Sequence, residues 1–190
     1  MKAISNILQR IIASGISLLA ICFLYSCESN KPEEIKALTN IEDIPVMEIE
    51  NLETTVLDSG IIKYKIITPE LQDFGKKNPP YMEFPKGGQI IMYDKNGKVD
   101  AQIKANYAKY LKREKLWELK NDVEAINQNG EVLNTEQLFL DEQSDKVYSD
   151  IFVKITTADE ILTGTGFESN TNITKYSFKN PQGIFNIEEQ

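Results

Sequence analysis

Three copies of a short pattern constrain the fold of this chain more than any other feature. The copies begin at Ile103, Leu133 and Leu162, at offsets of 30 and then 29 residues. A large apolar residue follows each start by 14 positions, and these residues are Trp117, Val147 and Tyr176. A repeat of this length is typical of stacked supersecondary units, each of which buries its apolar face against a neighbour.

The spacing within each copy predicts strands rather than helices. Apolar residues recur at every second position, as in Trp117/Leu119 and Val153/Ile155, whereas a helical stripe requires steps of three and four. The dipeptides Asn96-Gly97 and Asn129-Gly130 predict tight hairpin turns, since Asn and Gly accept positive φ at both central positions. We therefore expect about a dozen short antiparallel strands, packed as a sandwich, a barrel or an open roll.

The segment before the repeats predicts one more hairpin and a crossing loop. Residues 46–57 and 61–68 alternate in polarity around the turn Asp58-Ser59-Gly60, and Pro69 is expected to end the second strand. Residues 76–88 contain three prolines and two glycines, which predicts irregular structure there. Residues 89–93 are expected to resume as a strand.

The N-terminus has the features of an export signal. Lys2 and Arg10 give it positive charge, residues 11–24 are mostly apolar, and Leu24-Tyr25-Ser26-Cys27 resembles a bacterial lipobox. An uncleaved membrane anchor is the alternative, but about 14 apolar residues fall short of the roughly 20 that span a bilayer. We predict a signal peptide over residues 1–26, lipid attachment at Cys27, a polar tether over 27–45 and one folded domain over 46–190.

Composition excludes several classes of function. The net charge of −8 becomes −10 without Lys2 and Arg10, which argues against a nucleic acid partner. The chain has no histidine, so histidine-based triads and metal sites are excluded, and no nucleophile and base stand at an interpretable spacing. Cys22 would be lost with the signal peptide. We therefore expect no enzyme activity, no cofactor and no metal.

Several motifs in a fixed order resemble the LptC family. They are Tyr81-Met82-Glu83-Phe84-Pro85-Lys86-Gly87, Ala105-Asn106-Tyr107-Ala108, Trp117, Leu133-Asn134-Thr135-Glu136-Gln137-Leu138 and Gly164-Thr165-Gly166-Phe167. The resemblance implies an all-β fold, an open antiparallel β-jellyroll that is V-shaped like LptA and LptC, with an apolar interior groove. The best-known members have an N-terminal transmembrane helix, whereas this chain resembles a lipoprotein form held through Cys27.

The resemblance also implies a function in lipopolysaccharide export. The chain would receive lipopolysaccharide from an inner-membrane LptB2FG-type ABC transporter and pass it to an LptA-type periplasmic bridge protein by strand-edge pairing. We expect it on the periplasmic side of the cell envelope, anchored to the inner membrane by lipid. Partner contacts are expected at residues 46–68 and 173–187. The alternative is a surface-attached interaction or glycan-binding lipoprotein with a closed β-sandwich.

The candidate groove residues lie on alternating strands, and the sequence leaves open which face of each strand points inward. The residues themselves leave open whether that interior is filled or hollow, although the small residues Ala105, Thr135 and Gly164 at equivalent positions favour free space. The resemblance favours a groove that holds lipopolysaccharide acyl chains. Its candidate lining residues are Ile103, Ala105, Tyr110, Trp117, Leu119, Val123, Leu133, Leu138, Leu140, Val147, Val153, Ile155, Leu162, Phe167, Tyr176 and Phe178.

Overall fold

The computed structural model describes residues 44–186, and within that range the secondary structure consists of twelve β-strands with no helix. The all-β prediction is confirmed. The strands are β1 (Met47–Asp58), β2 (Ile61–Phe74), β3 (Tyr81–Phe84), β4 (Gly88–Tyr93), β5 (Val99–Ala105), β6 (Tyr107–Leu111), β7 (Leu116–Asn127), β8 (Val132–Asp141), β9 (Lys146–Ser149), β10 (Val153–Thr156), β11 (Glu160–Asn170) and β12 (Tyr176–Asn186).

All twelve strands join one antiparallel sheet that follows the order of the chain. Three segments are split into two strands each, namely β3 with β4, β5 with β6, and β9 with β10. A split segment pairs through both of its strands with the unbroken strand beside it, as β5 and β6 both pair with β7. The sheet is therefore a nine-segment meander, and β1 and β12 are its outermost segments.

Several segments are interrupted near their middle, and these interruptions form a line across the sheet, here called the fold line. Asn51 in β1, Asn121 and Asp122 in β7, and Gly166 in β11 all have positive φ at this line. The pairing of β7 with β8 shifts register between Lys120 and Val123. Bulges of this kind sharpen the bend of a strand, so the sheet turns back on itself along this line.

The fold line divides the sheet into two halves. Half A contains β4, β5 and β10, together with the parts of the unbroken strands that pair with them. Half B contains β3, β6 and β9, together with the parts of the unbroken strands that pair with those three. Side chains of the two halves meet inside: the ring of Tyr64 in half A lies 6.3 Å from that of Trp117 in half B, edge to face. The core lies between the halves.

Two predictions about strand ends are wrong, and both errors fall at irregular positions. Pro69 does not end β2, which continues to Phe74, because Pro69 lies opposite Asn51 at the bend, where the ladder is already interrupted. The loop predicted over residues 76–88 contains β3, and β4 begins at Gly88. Although β3 is short and has a proline on either side, it pairs with β2 along one edge and with β6 along the other.

The two predicted Asn-Gly hairpins are confirmed, but their turn geometry is not. Gly97 and Gly130 have positive φ, whereas the asparagine before each of them does not. In the first turn Asp94 Oδ1 accepts hydrogen bonds from the backbone of Asn96 and Lys98, at 2.8 and 2.9 Å. These bonds stabilise a longer loop with a single left-handed residue, as Asx turns commonly do.

At the C-terminal end, the last strand begins at Tyr176 rather than residue 173, and residue 187 lies outside the described range.

The small residues of the repeat lie along the fold line, where they permit close approach rather than leave space. Ala105 and Thr135 are only 6% and 8% exposed. A Cβ on Gly164 would lie 2.7 Å from a ring carbon of Phe178, and one on Gly88 would lie 2.5 Å from the carbonyl oxygen of Ile67. The inference of free space from these residues is therefore wrong.

Candidate functional site

All sixteen candidate groove residues face the same interior and belong to one apolar cluster. Twelve of them are buried, and the other four, Tyr110, Leu162, Tyr176 and Phe178, are partly buried against the cluster. The structure thus places these alternating residues on the inward face, which the sequence had left open. Whether these side chains contact a ligand stays a prediction.

One row of inward side chains crosses half A from β2 to β11. Its members are consecutive cross-strand partners: Ile66, Ile90, Ile103, Ala125, Leu133, Ile155 and Leu162. The three residues that start the sequence repeats, Ile103, Leu133 and Leu162, are all in this row. Over about 30 residues the chain therefore runs from half A into half B and returns to half A, and this path explains the offset between the repeats.

A second inward row crosses half B from β3 to β12. Its consecutive partners are Met82, Tyr110, Trp117, Leu140, Val147, Ser169 and Tyr176. Trp117, Val147 and Tyr176 are the residues found 14 positions after each repeat start. That offset takes the chain from the row in half A, over the fold line and a turn, to the row in half B.

The interior is filled by these side chains in this structure. The Trp117 ring packs against Tyr110 and Phe84, with centroid separations of 4.7 and 5.3 Å. The cavity beside Trp117 and Leu119 measures about 10 Å³. A larger cavity of about 110 Å³ lies at the open margin between the halves, lined by Tyr64 among others. Sites for small organic ligands usually measure about 300–1,000 Å³, so an occupied interior requires the halves to separate.

Glu142 joins the two halves at their open margin, which we call the mouth. It follows β8 in half B, and its carboxylate accepts a hydrogen bond of 2.9 Å from Trp117 Nε1. From half A, Tyr64 Oη donates a hydrogen bond of 3.2 Å to the same carboxylate, and the Lys63 ammonium group forms an ion pair of 2.7 Å with it. Burial, and next the charge of Glu142, raise the pKa of Tyr64. The phenol thus stays protonated and serves as a donor.

The loop between β11 and β12 also contacts half A at the mouth. Asn172 Nδ2 donates to Asp100 Oδ1 at 3.3 Å, and Asn127 Nδ2 donates to the carbonyl oxygen of Ile173 at 2.8 Å. The Ile173 side chain is 3% exposed and belongs to the core cluster. Three separate contacts therefore close the mouth, at Glu142, Asn172 and Ile173.

One polar atom in the interior has no partner. The hydroxyl of Ser149, at 0% exposure, makes no hydrogen bond within the described part of the chain. Ser149 lies opposite Phe167 in the ladder between β9 and β11.

Sequence reasoning missed part of this site. Ile66, Ile90 and Phe84 line the interior like the predicted residues, but they precede the detected repeats. Ile66 lies 37 residues before Ile103 rather than 30, and this longer interval hid a further unit of the same kind. Alternation over residues 61–74 was a usable signal for Ile66. Nothing in the sequence distinguished Glu142 from the other acidic turn residues.

Other predictions concern residues that the structure does not describe. Cys27, the signal peptide over residues 1–26 and nearly all of the tether lie outside residues 44–186. Within that range no helix has the length and apolar character needed to cross a bilayer. The same residues contain no cluster of carboxylates that could hold a metal ion.

The fold and interior define a class of protein: a β-jellyroll built from one antiparallel meander bent around an apolar core, with unpaired outer edges on β1 and β12 in the described chain. A family model described as "Lipopolysaccharide-assembly, LptC-related" matches residues 15–180. The chain belongs to the LptC family and is thus a component of lipopolysaccharide transport in the cell envelope. No curated protein matches the chain.

Proposed function

We propose that this protein is a lipid-anchored carrier that holds the acyl chains of lipopolysaccharide between the two halves of its folded sheet. It receives lipopolysaccharide from an inner-membrane LptB2FG-type ABC transporter and passes it to an LptA-type bridge protein in the periplasm. It acts without catalysis or cofactor. The observation that carries this proposal is the continuity of the two inward rows, which cross the sheet with apolar side chains at nearly every position.

Such continuity lowers the barrier to moving a hydrocarbon chain. Each CH₂ group contributes about 0.8 kcal/mol when it leaves water, so a lipid with several long chains cannot cross an aqueous space unaided. An interior of constant character keeps the free energy of the lipid nearly level from strand to strand. The net charge of −10 without the signal peptide supports binding of the acyl chains rather than of the phosphate-bearing headgroup.

The outer edges of β1 and β12, which are unpaired within the described part of the chain, support the proposed partners. An unpaired edge presents backbone donors and acceptors that another strand can satisfy. Pairing with a similar sheet would continue the inward rows into the neighbour and join the two interiors. We infer that one edge faces the transporter and the other faces the LptA-type protein.

We further propose that Cys27 carries the anchor and that residues 27–45 form a tether. Acylation at both the thiol and the new amine would give more than one chain, and stable membrane attachment requires such a second signal. The polar, acidic composition of the tether, with Glu33, Glu34, Glu42 and Asp43, would hold the folded domain off the membrane.

A photo-crosslinking experiment in living cells tests the proposed ligand. A benzophenone amino acid at Tyr176, which faces the interior, should crosslink to lipopolysaccharide. The matched control is Ser177, the next residue on the same strand, which is exposed. Crosslinking at both positions, or at neither, would contradict binding inside the sheet.

The proposed edge pairing is tested by the same chemistry at two lysines. Lys179 lies on edge strand β12 and Lys109 on β6 within the sheet. A crosslinker at Lys179 should capture the LptA-type protein, and one at Lys109 should not. Equal capture from both positions would argue against pairing through β12.

The filled interior favours a second candidate, a closed domain that binds its partner or a glycan by its surface. Burial of Ile103 and Leu138 at 0% exposure is the observation behind it. In that case lipopolysaccharide crosslinks would be absent from Tyr176. Variants of the surface loops would then change partner binding, while interior variants would change only stability.

A further inference from the structure

The loop between β11 and β12 combines a strained backbone with a buried side chain. Ile173 has a φ of +55°. A β-branched residue rarely adopts this left-handed conformation, since its branched Cβ crowds the backbone. Nevertheless the Ile173 side chain is 3% exposed and packs in the core cluster. Burial of this side chain in the mouth helps to offset the strain.

The loop is bonded internally as a compact unit. Asn170 Oδ1 accepts hydrogen bonds of 3.0 Å from the backbone of both Thr174 and Lys175. The backbone of Ile173 donates to the Asn170 carbonyl oxygen at 3.0 Å. These bonds remain within residues 170–175, so the loop can keep its shape when its contacts with half A are broken.

Few polar contacts hold the loop against half A. Asn172 donates to Asp100, and Asn127 donates to the Ile173 carbonyl. Beside them lies the 110 Å³ cavity, which is lined by residues of both halves, including Met92, Leu140 and Asn172. The loop therefore covers a space that already exists between the halves and extends toward the interior rows.

We propose that residues 171–175 are a lid and that Ile173 is its plug, which leaves the mouth so that a lipid acyl chain enters sideways between the two halves. This inference rests on the proposed function, because it names the entry route to the same interior. The Ile173 side chain and an acyl chain are both aliphatic, so one replaces the other without exposing the core to water.

Lid opening predicts how mutations change lipid binding. When only a fraction of the molecules is open, the apparent dissociation constant is the intrinsic constant divided by that fraction. Asp100→Ala and Asn127→Ala each remove a contact that closes the lid. Both variants should bind lipopolysaccharide faster and about fivefold or more tightly, the range typical of such coupling.

Trp117 provides the measurement, since it is the only tryptophan of the chain and lies in the inward row of half B. Purified full-length chain is mixed with lipopolysaccharide, and Trp117 emission is followed in stopped flow. Ile173→Gly, which removes the plug and accepts positive φ, should bind fastest. Lys104→Ala, on the exposed outer face, is the control and should bind like the original chain.

The outcomes separate the lid from the proposed function. Unchanged rates in the Asp100, Asn127 and Ile173 variants, with lipopolysaccharide still bound, would overturn the lid and leave the carrier function intact. Absence of binding in every protein, including the original chain, would overturn the carrier function itself. Should Ile173→Gly fail to fold, the Asp100 variant still decides the matter, because Asp100 is not a member of the buried core.

Discussion

Glu142 is a single residue on which both sides of the mouth depend. Its carboxylate is 10% exposed and accepts from Trp117 and Tyr64 while it pairs with Lys63. A buried carboxylate is costly unless hydrogen bonds and an opposite charge compensate it. Here the neutral donors Trp117 and Tyr64 and the ammonium group of Lys63 supply that compensation. Because these partners differ in burial, we expect them to contribute unequally to stability.

Replacing Glu142 should cost more than replacing Lys63. In Glu142→Ala the buried Trp117 N–H loses its acceptor, and an unsatisfied buried donor costs about 1–3 kcal/mol. Lys63 is 39% exposed, and an ion pair of that kind contributes about 0–1 kcal/mol. Urea unfolding, followed by Trp117 emission, measures the loss of stability in Glu142→Ala and in Lys63→Ala. Equal losses in Glu142→Ala and Lys63→Ala would show that the ion pair, rather than the indole hydrogen bond, dominates.

Glu70 should make stability depend on acid pH. Its hydrogen bond with Lys86 lowers the pKa of this carboxyl below its ordinary value of 4.5. A lowered pKa in the folded state stabilises the protein above pH 4.5, and this contribution is lost as the pH falls through the folded value. The difference in Tm between the original chain and Glu70→Gln should therefore be present at pH 7 and shrink below pH 4.5. A difference that is constant from pH 7 to pH 3 would contradict this.

The bent strands are the elements that give the interior two walls. The bends in β7 and β11 contain residues that tolerate left-handed backbone, namely Asn121, Asp122 and Gly166, and the turn at Gly87 lies beside the same line. Close approach there leaves no room for side chains: a Cβ on Gly87 would overlap the carbonyl oxygen of Ala105. The fold line thus depends on glycine for reasons of both conformation and space.

A pair of glycine substitutions separates these two reasons. Gly87→Ala and Gly97→Ala both place alanine at positive φ, which costs about 1–2 kcal/mol. Around Gly97 nothing lies within 4 Å of the added Cβ, whereas at Gly87 the backbone of Ala105 and Asn106 obstructs it. Chemical denaturation should show a loss for Gly87→Ala that clearly exceeds the loss for Gly97→Ala. Similar losses would mean that the fold line can spread to accept a side chain.

The strand pattern could be predicted from sequence because burial repeats along the chain, whereas the face of each strand that points inward could not. Ile103, Leu133 and Leu162 occupy one cross-strand row, so equal strand and turn lengths imposed the regular offset. The fold line could not be predicted, since Asn121 and Asp122 in the middle of a strand resemble a turn. The role of Ile173 was equally hidden, because its backbone conformation and its long-range contact with Asn127 depend on how the halves meet.

At the scale of the whole domain, the two outer edges of the sheet, unpaired within residues 44–186, carry opposite charge. Edge strand β1 exposes Glu48, Glu50 and Glu53. At the other edge, Lys175 precedes β12 and Lys179 lies in it, both exposed. Complementary surfaces on opposite edges of one molecule make a head-to-tail contact, which generates rings or open chains of subunits rather than two-fold dimers.

We therefore expect the isolated protein to associate head to tail, with β12 of one copy beside β1 of the next. Light scattering across a concentration series should show oligomers that dissociate as salt rises, since screening weakens contacts between exposed charges. The double variant Lys175→Glu/Lys179→Glu places negative charge at the β12 edge and should remain monomeric. Lys104→Glu/Lys154→Glu alters net charge equally on exposed residues of inner strands β5 and β10, so it serves as the control. If both variants lose association to the same degree, net charge rather than edge pairing governs it.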